Sequence, residues 1–111
     1  MKLYQHLEYL VQDRVAYISL NRPEEGNVLS DLTAIELKDA ILKAEQDGSA
    51  KLIVLRANGE DFCQGYDNEY LRKIAGYSLD QNRADAQSLA EMYFSLYRAT
   101  KVIIAEVKGQ A

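Results

Sequence analysis

Residues 52–67 read LIVLRANGEDFCQGYD, an apolar run followed by a loop that ends on an aspartate. The run Leu52–Leu55 belongs to a predicted strand, Lys51–Ala57, and its continuous apolar character is typical of a parallel sheet covered on both faces. The loop, residues 59–67, is longer than a simple reversal requires, and Asp67 suits the cap of a following helix. Loops of this kind commonly present backbone N–H groups to a ligand. The stretch therefore predicts both a parallel sheet and a binding site at the end of one strand.

The segments before this stretch predict a hairpin and a turn. Leu3–Val11 and Arg14–Leu20 have strand character, and Gln12 and Asp13 between them suit a tight turn. The two strands are therefore expected to pair antiparallel. Asn21–Gly26 then forms a turn, because its proline fixes φ and its glycine permits a reversal.

A helix is predicted over Asp31–Gln46. Its apolar residues recur at spacings of three and four, which places them on one helical face: Ala34, Leu37, Ile41 and Ala44. Ser30 or Asp31 suits the N-cap, and Asp47 and Gly48 end the helix.

Two more helices and a strand are predicted after the loop. A short helix covers Asn68–Ala75 and a longer one covers Leu79–Ala99. The buried face of the longer helix is expected to carry Leu89, Met92 or Tyr93, and Leu96. The apolar run Val102–Val107 predicts a second buried strand.

Strands that alternate with helices imply an α/β layered sheet with right-handed crossover helices. Leu52–Leu55 and Val102–Val107 are therefore expected to be parallel neighbours in one sheet. Ligands of such sheets bind beyond the carboxyl ends of the strands. The loop 59–67 begins at one of those ends.

Composition places the chain among ordinary globular domains. It has 111 residues, of which 48% are hydrophobic and 27% charged, enough for one domain. The formal net charge of −4 gives no basic footprint for nucleic acid or for an acidic membrane surface. A single cysteine fits a reducing compartment. No stretch resembles a signal peptide or a membrane span, so a cytoplasmic location without nucleic-acid or membrane partners is expected.

Side chains with catalytic chemistry are few. His6 is the only histidine, and a lone histidine favours a structural role over a metal site. Cys63 is interpreted as a small buried apolar side chain rather than a nucleophile. The adjacent carboxylates Glu24–Glu25 and Glu60–Asp61 lie in predicted turns, where solvation is favoured over catalysis. No Gly-x-Ser-x-Gly, Gly-x-Gly-x-x-Gly or P-loop motif occurs.

Three segments together resemble the crotonase (enoyl-CoA hydratase/isomerase) superfamily. The first, VAYISLNRPE at 15–24 with NVLS at 27–30, is similar to the family's opening strand, its Asn-Arg-Pro turn and the Asn-Ala-Leu that enters the first helix. The second, LIVL at 52–55 with GEDFCQGYD at 59–67, resembles the family's Phe-(Cys/Ser)-Ala-Gly-Ala-Asp segment. The third, KVIIAEVKGQA at 101–111, resembles Lys-Pro-(Val/Ile)-Ile-Ala-Ala-Val-x-Gly-x-Ala. Order and spacing also agree, over nearly the whole chain.

The resemblance implies an acyl-CoA site. Members of the family bind acyl-CoA thioesters and stabilise an enolate-like oxyanion with two backbone N–H groups. Carried onto this sequence, one donor is the N–H of Tyr66, and the substrate-binding residues are Gln64, Gly65, Asp67 and Asn68. Gln64 matches the position whose backbone meets the adenine end of CoA, and Asp67 also suits the cap of the next helix. No separate cofactor is implied, because coenzyme A is part of the substrate.

The chain also departs from the family pattern. Tyr66 and Gln64 stand where alanine is common, and Val102 stands where proline is common. Residues 1–111 are similar to the amino-terminal part of a crotonase-like acyl-CoA-binding domain, so an incomplete α/β crotonase-like fold is expected. In the family, a Gly-Gly-Gly segment with the second oxyanion donor and the hydratase glutamates would follow. Family members form trimers or pairs of trimers, which implies a homo-oligomeric full-length parent, trimer or hexamer.

Two kinds of function follow from the resemblance. One is an enzyme of the enoyl-CoA hydratase/isomerase type, with hydration of a 2-enoyl-CoA as the favoured reaction. Isomerisation, decarboxylation, thioester hydrolysis and dehalogenation are its alternatives. The other is a non-catalytic truncated homologue that serves as a protein-interaction module. The sequence leaves both open, because the residues that distinguish them lie outside the motifs it contains.

Overall fold

Four strands form one sheet in the computed structural model, which describes residues 4–111. The strands are β1 (Leu7–Gln12), β2 (Val15–Leu20), β3 (Leu52–Ala57) and β4 (Val102–Ala105), and the helices are α1 (Asp31–Gln46), α2 (Asn68–Ala75) and α3 (Leu79–Tyr97). The strand order is β1-β2-β3-β4, with β1 antiparallel to β2 and the other neighbouring pairs parallel. Helices connect each parallel pair, so this is the predicted α/β layered arrangement.

The parallel pairing of the two apolar strands is confirmed. β3 lies between β2 and β4, and it pairs with β4 from Leu52↔Val102 to Leu55↔Ala105. The carboxyl ends of β2, β3 and β4 therefore meet at one edge of the sheet. The loops that follow β2 and β3 both begin at that edge.

The hairpin between β1 and β2 reverses one residue later than predicted. Asp13 and Arg14 both have positive φ, 52° and 66°, as the two central residues of a type I′ turn do. Gln12 therefore remains paired with Val15.

The first strand begins at Leu7 rather than at Leu3, which lies outside the described residues. The backbone N–H groups of Gln5 and His6 donate to the carboxylate of Glu36 on α1, each at 2.7 Å. Because a side chain takes up these amides, the segment is tied to the helix before it enters the sheet.

Helix α1 has the predicted bounds and begins with the predicted cap. The Ser30 hydroxyl accepts the Thr33 N–H at 3.2 Å, and the Thr33 hydroxyl accepts the Ser30 N–H at 3.3 Å. This reciprocal capping box satisfies two N–H groups that the helix itself leaves unpaired.

The core lies between α1 and the sheet. Its buried residues come from the strands, from α1 and from α3: Leu7, Ala16, Ile18, Leu20, Ile53, Ala57, Ala34, Leu37, Ala40, Ile41, Ala44 and Met92, with Ala50 in a turn. The expected face of α3 is confirmed, since Met92 is buried and Leu89 and Leu96 pack against the same cluster. Tyr93, the alternative to Met92, is half exposed.

The prediction that β4 is a buried strand is wrong. Val102 is 66% exposed and Ile104 is 50% exposed, and the strand ends at Ala105 rather than Val107. In the described part of the chain, β4 pairs with β3 along one side and forms the edge of the sheet. In β3, Ile53 and Ala57 are buried and the residues between them are half-buried, so coverage of both faces of the sheet is also incomplete.

No helix within residues 4–111 has the length and apolar character needed to cross a membrane.

Candidate functional site

The loop after β3 lies against the turn after β2, at the carboxyl edge of the parallel strands. Asn27, which belongs to the turn, joins the two segments. It is 3% exposed, and its side-chain Nδ2 donates to the carbonyls of Asn58 at 2.8 Å and Asp61 at 2.9 Å. Its Oδ1 accepts the backbone N–H of Arg22 at 2.7 Å. The turn and the loop therefore form one connected unit.

The backbone around Tyr66 leaves its N–H directed away from the turn. Leu29 N–H donates to Gly65 O at 2.8 Å, and Asp67 N–H donates to Leu29 O at 2.8 Å. In such a parallel bridge, the residue between the two partners, here Tyr66, points its own N–H and C=O to the opposite side. Within residues 4–111, no backbone or side-chain acceptor takes the Tyr66 N–H. This amide is therefore available to an incoming acceptor.

Gly65 sets the direction of this amide. Its φ is +113°, and nothing lies within 4 Å of the position that a Cβ would occupy. The glycine is thus required by backbone conformation rather than by crowding, because other residues are strained in that region.

Four of the predicted site residues line one cavity of about 410 Å³: Gln64, Tyr66, Asp67 and Asn68. Gly65 lies between them in the chain. Arg22 and Glu25 of the preceding turn form another part of the cavity wall. The structure thus brings the predicted residues together and adds the turn to them.

Asp67 acts as a helix cap, as predicted. Its Oδ1 accepts the N–H of Glu69 at 3.1 Å, at the beginning of α2. Its Oδ2 lies 3.4 Å from Nη1 of Arg22, which also forms an ion pair with Glu25. Among residues 4–111, the only guanidinium that lines the cavity is therefore already paired with two carboxylates of the protein.

The Tyr66 ring lies beside other tyrosine side chains. Its centroid lies 6.1 Å from that of Tyr70, whose hydroxyl donates to the Asp85 carboxylate at 2.6 Å. The pKa of Tyr93 on α3 is raised, mainly by a hydrogen bond with Tyr66 and to a lesser extent by burial. Tyr66 itself is 41% exposed. The phenol ring of Tyr66 therefore lies beside Tyr70 of α2 and Tyr93 of α3.

His6 and Cys63 have surroundings that fit structural roles. His6 Nδ1 lies 2.9 Å from the Thr33 hydroxyl and 3.2 Å from the Ser30 hydroxyl, beside the cap of α1. The pKa of His6 is lowered, mainly by burial and also by the positive charge of the nearby Arg22. Cys63 is half-buried rather than fully buried, with its sulfur 3.5 Å from the Gly65 nitrogen. Among residues 4–111, no three histidine, cysteine or carboxylate side chains come together as a metal site would require.

Two residues of the site were not predicted from the sequence. Asn27 stood within a family motif, but its role depends on bonds to residues more than thirty positions away, as the separations of 31 and 34 show. The Asp61 carboxylate is partly exposed to solvent, in keeping with the prediction, and it also accepts hydrogen bonds from Gln64 and Gln110. The only local signal was the Gly-Asn pair at 26–27, in which both residues adopt positive φ.

Solved structures share this fold. An enoyl-CoA hydratase from Shewanella pealeana has a TM-score of 0.92 and 28% identity, covering 95% of this chain and 40% of that chain. An enoyl-CoA hydratase/isomerase from Xanthobacter autotrophicus has a TM-score of 0.89 and 28% identity, covering 96% and 40% respectively. The expected crotonase-like α/β fold is therefore confirmed, as a partial fold.

The family model for enoyl-CoA hydratase/isomerase matches residues 11–111. The chain belongs to this family, the crotonase superfamily, and corresponds to the amino-terminal portion of its fold. The hydroxycinnamoyl-CoA hydratase-lyase of Pseudomonas fluorescens is 33% identical over 101 residues, which are 89% of this chain and 37% of that protein. The chain thus spans less than half the length of the curated relatives that it matches.

Proposed function

We propose that this chain is the acyl-CoA-binding part of an enoyl-CoA hydratase/isomerase-type enzyme, and that the N–H of Tyr66 donates to the thioester oxygen of the substrate. The observation that carries the proposal is the direction of that N–H. The amides on either side of the bridge are bonded, while the Tyr66 amide is unpaired in the described part of the chain and belongs to a residue that lines the cavity.

The physical basis is a donor fixed before the ligand arrives. In the reaction, negative charge develops on the thioester oxygen, and a preoriented N–H lowers the energy of that charge without reorganisation. Helix α2 begins two residues later, at Asn68, and its N-terminal end adds a partial positive charge. Loss of one such donor typically lowers the rate by about 100- to 1,000-fold.

Hydration of a 2-enoyl-CoA is the favoured parent reaction, because the family and most relatives carry that activity in their names. Isomerase, decarboxylase and thioester hydrolase chemistries are the alternatives within the family. In this proposal Gln64, Gly65, Asp67 and Asn68 contact the CoA thioester, and CoA enters as part of the substrate rather than as a separate cofactor. A cytoplasmic, homo-oligomeric parent, trimer or hexamer, completes the proposal.

Turnover requires more than this donor. The reaction needs a second donor aimed at the same oxygen and a base that activates water. Three carboxylates of the described residues line the cavity: Glu25 and Asp67 are engaged with Arg22, and Glu69 is exposed in the first turn of α2. We therefore expect the 111-residue chain to bind a thioester and not to hydrate it.

Calorimetric titration with crotonyl-CoA and with free CoA tests the proposal. We expect the chain to bind crotonyl-CoA more tightly than CoA. Tyr66→Pro removes the N–H and should reduce this preference about fivefold, the effect of losing one hydrogen bond. Tyr66→Phe is the matched control and should retain the preference, because the donor is backbone.

A second variant tests the proposal even if the Tyr66→Pro protein does not fold. An ester in place of the Gly65–Tyr66 peptide bond deletes the same N–H and keeps the side chain. Equal preference in the wild-type chain and the ester variant would contradict the proposal.

The second candidate function is a protein-interaction module. It is favoured by the exposed apolar side chains of β4 and α3, among them Val102, Ile104 and Tyr97. This function requires no thioester site. Saturable binding of crotonyl-CoA that depends on the Tyr66 N–H would therefore decide against it as the sole function.

A further inference from the structure

Asp61 connects three segments next to the Tyr66 loop. Its Oδ1 accepts the backbone N–H of Gln110 at 2.9 Å, and its Oδ2 accepts Nε2–H of Gln64 at 2.7 Å. Its own carbonyl accepts Nδ2–H of Asn27 at 2.9 Å. The hydrogen bonds from Gln110 and then Gln64 lower the pKa of the Asp61 carboxyl. The residue thus holds its charge and uses both carboxylate oxygens within the protein.

The last residues of the chain run alongside this loop. Phe62 N–H donates to Lys108 O at 2.9 Å, and Cys63 N–H donates to Gln110 O at 3.0 Å. Gly109 lies between these contacts with φ +59°, and a Cβ there would lie 2.4 Å from Asp61 Oδ1. The close approach of the two segments therefore depends on a glycine facing a carboxylate.

The same carboxylate is linked to Tyr66 through Gln64. The Gln64 side chain is held by Asp61, while its backbone N–H donates to Gly26 O at 3.0 Å. The next carbonyl, that of Gly65, is held by Leu29 N–H at 2.8 Å. The chain between Asp61 and Tyr66 is consequently anchored at successive points, and Asp61 is the anchor at its beginning.

We propose that Asp61 is a positioning residue, which ties the loop 59–67 to residues 108–111 so that the Tyr66 N–H keeps its direction. This inference rests on the proposed function, in which that N–H donates to the thioester oxygen. Asp61 itself does not touch the ligand. Its adjacent partner in sequence, Glu60, has no such set of bonds within the described residues, which makes Glu60→Gln a matched control.

The first measurement uses the ligand-free chain. In ¹⁵N-labelled protein, Asp61→Ala should shift the Tyr66 amide resonance and accelerate hydrogen exchange at the Gln110 amide about tenfold, as expected for loss of a charge-assisted hydrogen bond. Asp61→Asn keeps an acceptor oxygen and should give a smaller change. Glu60→Gln should change neither. An unaltered Tyr66 resonance in folded Asp61→Ala would overturn the proposal.

The second measurement is the preference for crotonyl-CoA over CoA. Asp61→Ala should reduce this preference about fivefold, because the thioester contact depends on the Tyr66 direction, and any loss of CoA affinity through the released Gln64 side chain should be smaller than the loss of crotonyl-CoA affinity. Asp61→Asn should restore part of it. A merely structural aspartate would lower both affinities together, and that result would overturn the proposal.

The two hypotheses fail in different ways. If the wild-type chain shows no preference for crotonyl-CoA, the proposed function fails, and the ligand-free spectra alone decide whether Asp61 orients Tyr66. If the wild-type chain shows the preference and Asp61→Ala retains it in full, the positioning role fails and the proposed function stands.

Discussion

At the scale of single residues, Asn27 connects the turn after β2 to the loop that carries Tyr66. Its side chain forms three hydrogen bonds while 3% exposed, and its φ is +54°. Asparagine tolerates the left-handed region better than most residues, and its amide supplies one acceptor and two donors. Conformation and hydrogen bonding therefore require the same residue type at this position.

We expect Asn27→Ala to destabilise the chain by about 3 kcal/mol, because buried partners lose their bonds and alanine is strained at positive φ. The free energy of unfolding in urea measures this. Asn82→Ala, in the exposed first turn of α3, is the control and should change stability by less than about 0.5 kcal/mol. A small effect at Asn27 would mean that the turn and the loop are held together without its amide.

At the scale of elements, the beginning of α2 has two roles that can be separated. Asp67 caps the helix and pairs with Arg22, and it also lines the candidate cavity. Capping needs an acceptor oxygen and not a charge. The ion pair is partly exposed and long, at 3.4 Å, and so contributes little to stability.

Asp67→Asn should therefore change the free energy of unfolding by less than about 0.5 kcal/mol, whereas Asp67→Ala should cost about 1 kcal/mol. Urea denaturation of both variants tests this difference. If the asparagine variant is as unstable as the alanine variant, the charge rather than the cap holds the start of α2.

Secondary structure was predictable wherever local signals agreed. The periodicity between Ser30 and Gln46 gave the bounds of α1, and the apolar runs gave β3 and its parallel neighbour. The bond between Asp61 and Gln110 was not predictable, because the two residues lie 49 positions apart and no local pattern marks such a pair. The exposure of β4 was missed because an apolar run has the same pattern whether or not another layer covers it.

At the scale of the whole molecule, the sheet ends in an apolar edge. Val102 and Ile104 of β4 and Tyr97 of α3 are at least half exposed, and the free side of β4 pairs with no strand within residues 4–111. Unpaired apolar edge strands pair readily with other chains. The chain spans less than half the length of the curated relatives that it matches.

We expect the isolated 111-residue chain to self-associate at tens of micromolar, roughly the range in which weak contacts are populated. Sedimentation velocity measures this directly. Ile104→Lys places a charge on the edge strand and should shift the chain towards monomer. Ile35→Lys, on the exposed side of α1, is the control and should leave association unchanged. A wild-type monomer at this concentration would contradict the expectation.

The central claim is that the Tyr66 N–H meets the thioester oxygen, and the most direct test is the resonance of that amide. Selective ¹⁵N labelling of tyrosine observes eight backbone amides, of which Tyr9 and Tyr17 lie in the sheet. On titration with crotonyl-CoA, the Tyr66 amide proton should shift downfield as it gains an acceptor, while free CoA should shift it much less and the sheet tyrosines should not move. A Tyr66 amide that stays unchanged at saturating crotonyl-CoA would contradict the account.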